Sequence, residues 1–203
     1  MRHNQIAKLL LQINAIKLKP KNPFTWSSGK KSPIYCDNRL TLSYPKIRKI
    51  IQEKLITLAK KEFKEANLIA GVATAGIPHG VLMANKMSLP FIYVRSSEKK
   101  HGRENKIEGE IGKNRKILIV EDLISTGKSS LQVAEALKNV GCEIVGIISI
   151  FNYNFIETEQ RLINQKIKYS SLCNFEELIK AAEQENYISE KEIEIITNWH
   201  SDF

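Results

Sequence analysis

Residues 116–130, KILIVEDLISTGKSS, constrain this chain more than any other stretch. An apolar run, Ile117 to Val120, ends in two adjacent acids, Glu121 and Asp122, and two more apolar residues, Leu123 and Ile124, follow. Next comes Ser125-Thr126-Gly127-Lys128-Ser129-Ser130, and then a helical pattern. A buried β-strand feeding a hydroxyl- and glycine-rich turn at a helix start is an anion site, because unpaired backbone N–H groups and the helix dipole both face the turn. Two carboxylates just ahead of that cradle point to a ligand with a phosphate at one end and a polyol or metal beside it. A sugar phosphate meets that description.

Two familiar phosphate-binding patterns do not fit. A P-loop needs G-x-x-x-x-G-K-[ST]; here Gly127-Lys128-Ser129 matches only its tail, and the first glycine would fall on Asp122. A dinucleotide fingerprint needs three glycines, and this segment has one. Residue by residue, the plainer reading is a helix capped by Ser125 or Thr126 behind two solvated strand-end acids. That reading leaves the run as a whole unexplained.

The rest of the chain narrows the class. At 203 residues, one α/β domain with a small appendage is expected, with room for a sizeable core. No apolar run approaches the ~20 residues that span a bilayer. The N-terminal MRHNQIAKLLLQINAIK mixes polar and apolar residues at helical spacing, unlike a signal peptide or anchor. Cys36, Cys142 and Cys173 lie far apart without a C-x-x-C pair, which argues against a zinc site and for reduced thiols in a cytoplasm. The net charge of +9 raises nucleic acid as a partner. Against that, Lys, Ile and Asn are frequent throughout, no basic stripe is interleaved with aromatics, and 176–194 is acidic. The local cationic excess lies in 95–106, where a polyphosphate ligand explains it equally well. Neither nucleic acid nor membrane is expected as a partner.

Ile6, Leu9, Leu10, Ile13 and Ile16 predict an amphipathic N-terminal helix. FTWSSGKKSPIYCDNRL, residues 24–40, predicts a short strand or hairpin, and Ser43-Tyr44-Pro45 opens a helix to about Phe63. Strands over 67–73, 90–94, 116–121 and 143–151 then alternate with helices over 76–86 and 127–140. Such alternation implies a parallel sheet with right-handed crossovers, and ligands bind at the carboxyl ends of its strands. Loops 74–78, 95–113 and 122–130 therefore converge on one rim. The C-terminus is predicted helical, with one stripe of Phe175, Leu178, Ile179 and Ala182 and another of Ile188, Ile193, Ile195 and Ile196.

RSSEKKHGRENKIEGEIG, residues 95–112, is too polar for a core element and exceeds the ~12–15 residues of an ordinary connection. Arg95, Lys99, Lys100, Arg103 and Lys106 make it dense in cations, as a clamp over pyrophosphate would be. Residues 117–129 resemble the phosphoribosyl-pyrophosphate (PRPP) motif of the type I phosphoribosyltransferases. Arg95, Lys99, His101 and Gly102 resemble the catalytic loop of the orotate phosphoribosyltransferases. FTWSSGKKSPIYCDNR resembles the hood segment of that family, GVATAGIPHG (71–80) its loop after the first core strand, and NYISEKEIEIITNWH the tail of one bacterial subgroup.

The resemblance implies an α/β type I phosphoribosyltransferase fold: a central parallel sheet flanked by helices, with a small N-terminal hood. The chain is then a single domain, 1–203, with helix and hood in 1–42 and core and C-terminal helices in 43–203. The implied reaction is orotate plus PRPP to orotidine 5′-monophosphate plus pyrophosphate, with Mg²⁺ held mainly through PRPP. Glu121 and Asp122 would accept hydrogen bonds from the ribose hydroxyls and offset positive charge growing on the ring. Leu123 and Ile124 continue the motif, and backbone N–H groups of Ser125, Thr126, Gly127, Lys128 and Ser129 would hold the 5′-phosphate. Ser125 matches the family's hydroxyl near the orotate carboxylate. Arg95, Lys99 and His101 would clamp pyrophosphate from the neighbouring subunit, which implies a homodimer with shared sites. Catalysis would fall to Lys99, His101, Glu121 and Asp122.

The chain departs from the family at several cations. Many relatives carry lysine where Ser27, Ala75 and Ser96 stand; Lys31, Arg39 or Lys100 are the candidates to replace them. The arginine that meets orotate in some relatives has no match, and Phe151-Asn152-Tyr153 occupies its region. Two other readings stay open: transfer to another base such as a purine, and a PRPP- or nucleotide-sensing regulator on the same fold. A purine enzyme would not be expected to carry the SPIYCDNR hood, and a regulator can lose Arg95, Lys99 and His101, which this chain keeps.

Overall fold

The computed structural model describes residues 4–26, 29–95 and 106–203. Helix α1 (Asn4–Gln12) buries Ile6, Ala7, Leu10 and Leu11. It stops short of the predicted stripe because Asn14 takes φ 56°, a left-handed conformation that ends a helix. Ile16 therefore opens a strand, β1 (Ile16–Leu18), instead of extending the helix. The predicted hairpin is present as β2 (Phe24–Thr25) and β3 (Lys31–Ser32), while β4 (Ile34–Cys36) pairs antiparallel with β1. These strands form the hood. A 3₁₀ turn, Asn38–Ser43, leads into α2 (Pro45–Glu62), with proline in its first turn as the sequence predicts.

The main sheet then builds up by alternation. It comprises β5 (Leu68–Val72), α3 (Gly76–Met87), β6 (Phe91–Val94), β7 (Ile107–Glu108), β8 (Lys116–Ile124), α4 (Lys128–Asn139) and β9 (Glu143–Asn152). It closes with α5 (Ile156–Asn164), β10 (Tyr169–Asn174), α6 (Phe175–Gln184) and α7 (Glu190–Ser201). The strand order is β10-β9-β8-β5-β6-β7, parallel throughout except for β7. The parallel sheet is thus as expected, with two additions. Residues 95–112 are not one uninterrupted loop, since Ile107 and Glu108 pair with Val94 and Tyr93 as an antiparallel edge. Beyond β9, α5 and β10 add a further unit to the opposite edge.

Alternate residues of the central strands feed two cores, as a period of two requires. Ile69, Leu118, Val120, Ile148 and Ile150 face a core shared with α1, α2 and α6, and with Ile34 of the hood. Leu68, Ala70, Val72, Ile117, Ile119 and Ile147 face a second core closed by Val133, Ala134 and Leu137 of α4 and Leu162 of α5. In α7, Ile196 is buried whereas Ile195 of the predicted stripe is exposed; Trp199, His200 and Phe203 complete the packed face. The hood is therefore fixed to the sheet by apolar burial. Among the described residues, no helix is long and apolar enough to cross a membrane.

Candidate active site

The acids of the motif lie inside β8, which runs on to Ile124, and not beyond its end. Alternation separates them. Glu121 is buried, and its carboxylate accepts from the Asp122 N–H (3.0 Å) and from Ser129 Oγ (3.2 Å). Burial, followed by the neighbouring Asp122 charge, pushes the Glu121 carboxyl well above its ordinary range. Asp122 is half-buried, and burial raises its carboxyl too. It lines a cleft of about 420 Å³ with Cys36, Asp37, Arg39, Thr74 and Ala75. Hood and sheet meet here: Asn38 Nδ2 donates to the Asp122 carbonyl at 2.7 Å. Asp37 accepts from Arg39 Nε (2.6 Å) and Nη2 (3.0 Å), and that pairing holds its carboxyl below the usual carboxylate range.

The turn after β8 has the features of an anion cradle. Gly127, at φ 70°, is the N-cap of α4 in place of Ser125 or Thr126, and no side chain satisfies the helix start. A left-handed cap favours glycine, and the leading N–H groups of a helix have no partners within it. The loop's carbonyls are turned outward: Thr158 Oγ1 donates to the Ser125 carbonyl (2.7 Å) and Arg161 Nη1 to that of Thr126 (3.3 Å). Ile124 is buried, and its carbonyl accepts from the Tyr153 N–H at 3.0 Å. Lys128 and Ser129 are exposed at the first turn of α4.

A second cleft of about 570 Å³ adjoins the first at Cys36, which lines both. Trp26, Tyr35, Leu123, Tyr153 and Phe203 give it a largely aromatic wall, and Ser125, Thr126 and Lys30 supply polar groups. The wall is assembled from both ends of the chain. Trp26 meets Tyr153 and Trp199 edge-on, with ring centroids 5.6 and 5.8 Å apart, and Phe155 stacks on Phe203 at 4.6 Å. His200 stacks on Phe175 at 3.7 Å and its Nε2 donates to the Tyr153 carbonyl at 2.5 Å.

Asp122, Leu123, Ser125 and Thr126 thus line one or other of two adjoining clefts, with Glu121 behind them and Gly127, Lys128 and Ser129 at the helix start. Arg95 lines neither cleft and meets this set only at Ser129. It faces Glu108 at 3.6 Å and lines a separate cavity of about 450 Å³ with Ala73, Lys106 and Ser129. Lys99 and His101 lie outside the described residues, as do Ser27, Ser96 and Lys100. Sequence reasoning named Arg39 only as a stand-in cation, and missed Asn38, the pairing of Arg39 with Asp37, and Tyr35, Tyr153 and Phe203 of the aromatic wall. The SPIYCDNR block was the available signal for Tyr35, Asp37, Asn38 and Arg39, whereas Tyr153 and Phe203 lie outside it.

Residues 41–184 match the phosphoribosyl transferase domain family. The chain is 49% identical over 195 residues to the orotate phosphoribosyltransferase of Listeria monocytogenes serotype 4b, covering 96% of this chain and 93% of that protein. It is 47% identical over 194 residues to the orotate phosphoribosyltransferase of Porphyromonas gingivalis, covering 96% and 92%. In fold it is similar to the crystal structure of orotate phosphoribosyltransferase from Aeropyrum pernix, with a TM-score of 0.79 at 23% identity over 91% of this chain and all of that one. With near-half identity along almost its whole length, the chain belongs to the phosphoribosyl transferase family, in its orotate phosphoribosyltransferase branch.

Proposed function

We propose that this protein transfers the 5-phosphoribosyl group from PRPP to orotate, giving orotidine 5′-monophosphate and pyrophosphate, a step of pyrimidine biosynthesis. The observation that carries the reading is the junction of two unlike clefts. One holds a carboxylate, Asp122; the other is aromatic-walled, carries Ser125 and Thr126 of the turn before α4, and meets the first at Cys36. A ribose suits the first and a planar base the second, with the helix-start turn at hand for the phosphate.

The roles of the described residues follow from their surroundings, and those of Lys99 and His101 from the resemblance. The helix-start N–H groups of α4 bind the 5′-phosphate and fix the ribose below the rim. Asp122 accepts from the ribose hydroxyls and faces the positive charge that develops on the ring as the anomeric C–O bond breaks. Glu121, buried and held by Ser129, acts from behind as the group that orients Asp122. Arg95, Lys99 and His101 stabilise the departing pyrophosphate. That Arg95 lines a cavity apart from the Asp122 cleft supports a clamp donated across a homodimer. The chain forms a single domain, 1–203, and the clamp reaches its site from a second copy.

Mg²⁺ fits this donor set. Asp122 offers hard oxygens on this cleft while both Asp37 oxygens are taken by Arg39, too few for a closed cage, which suits an ion that takes most of its oxygens from PRPP. When bound it would neutralise charge on the pyrophosphate. The test is base selectivity with PRPP and Mg²⁺. Rates with orotate are expected to exceed those with hypoxanthine or adenine by at least about a hundredfold, a margin of roughly 2.7 kcal/mol. Comparable rates across bases would overturn the reading.

A further inference from the structure

Orotate is an anion, and the resemblance leaves Ser27, Ala75 and Phe151-Asn152-Tyr153 where cations would be expected. Resting on the functional reading above, we infer that Lys30 is the specificity-determining cation of the base cleft and meets the carboxylate of a planar pyrimidine-carboxylate substrate. Among the described residues, Lys30 is the one charged side chain lining the aromatic cleft. Its Nζ sits 4.1 Å from the centroid of the Phe203 ring, which forms part of the same wall.

The neighbouring cations are committed elsewhere. Lys31 Nζ donates to Thr25 Oγ1 at 2.7 Å, on the hairpin itself. Arg39 is engaged by both carboxylate oxygens of Asp37. Lys30 has no carboxylate partner among the described residues, so its charge remains available to a ligand. An aromatic face holds an ammonium group without neutralising it. The perch itself is fixed. Trp26 N–H donates to the Lys30 carbonyl (2.9 Å), and Trp199 Nε1 donates to the Lys31 carbonyl (3.0 Å), joining the hairpin to α7. Phe203 is held in turn by Trp199 and Phe155, with ring centroids 5.0 and 4.6 Å away. The ammonium is thus positioned before the ligand arrives, which lowers the cost of ordering it on binding. Slot and cation together select a flat, anionic ring, a class that adenine and hypoxanthine do not meet.

The test compares wild type, Lys30→Met and Lys30→Arg in steady-state transfer from PRPP to orotate. Methionine keeps most of the stem and removes the charge. Its KM for orotate is expected to rise about 10- to 100-fold, the loss of one charge-assisted contact. The KM for PRPP should stay within about threefold and Lys30→Arg should recover most of the loss, because the cation acts on the base alone. The KM for orotate should also climb with ionic strength in wild type and lose that dependence in Lys30→Met. An unchanged KM for orotate in Lys30→Met overturns the inference, and so does an equal rise in both KM values, which would mark a structural role. A wild type that leaves orotate untouched while transferring to another base overturns the functional reading, and this ligand with it.

Discussion

Gly76 couples the fold to the site most tightly. It opens α3 directly after the Thr74–Ala75 edge of the Asp122 cleft, against the end of β8 that delivers the acids. A Cβ at this position would lie 3.2 Å from the Val120 carbonyl carbon and 3.3 Å from Glu121 Cα, and well inside contact with the Val120 carbonyl oxygen. All three are backbone atoms, so no side chain can rotate away. Restoring an ordinary separation of about 3.5 Å requires α3 and β8 to move apart by on the order of 1 Å. Overpacking of this kind costs roughly 1–3 kcal/mol, which for a chain of this size lowers Tm by about 2–12 °C and leaves it folded. The shift falls on Glu121 and Asp122, and a 1 Å misplacement of a positioning group costs about a hundredfold. Gly76→Ala, assayed by thermal melting and by kcat/KM for orotate, is therefore expected to melt modestly lower and to lose activity by about that factor. A variant with wild-type melting and turnover would refute the reasoning.

Asp122→Asn should keep Tm within a few degrees while losing about 10- to 1000-fold in turnover, the scale of one electrostatic contact to a developing charge; near-wild-type turnover would remove Asp122 from the mechanism. Glu121→Gln tests the buried acid through pH. Because the folded carboxyl is raised above its ordinary value of 4.5, the folded state binds the extra proton, and stability declines as pH climbs from 4.5 towards the raised value. Glu121→Gln should then melt higher than wild type at neutral pH and equal it near pH 4; a lower Tm at neutral pH would contradict this. Lys99→Ala and Asp122→Asn homodimers should each be nearly inactive. Subunit exchange between them should restore activity to about a quarter of sites, since each mixed dimer has one site free of both substitutions, whereas parental activity after verified exchange would place the clamp in its own subunit.

What was legible in the chain tracks how each segment obtains its burial. β5, β8 and β9 are buried on both faces and read as continuous apolar runs, and α2 and α3 announce themselves by periodicity and by Pro45. Residues 152–174 gave no such signal. In α5 only Thr158 and Leu162 are buried while Ile156 and Ile163 face outward, and β10, reading YSSLCN, is an edge strand with a polar run. β7 is two residues long and exists through its pairing with Tyr93 and Val94, too short for any period to register. The acid pair and the helix-start turn were readable because β8, turn and α4 are contiguous. The base cleft was not, because its wall joins hood to α7; the bond from Trp199 to the Lys31 carbonyl spans 168 residues. Phe203 and Lys30 gained their roles through packing.

The central claim is that one ribosyl group passes from pyrophosphate to orotate at the junction of the two clefts. Its most direct measurement follows orotate, orotidine 5′-monophosphate and pyrophosphate in a single reaction, using the ultraviolet difference between orotate and its nucleotide and a separate pyrophosphate readout. The account predicts equal molar loss of orotate and gain of both products, dependent on PRPP and abolished when Mg²⁺ is chelated. Pyrophosphate release that proceeds without orotate, or PRPP consumption with no orotidine 5′-monophosphate formed, would contradict it.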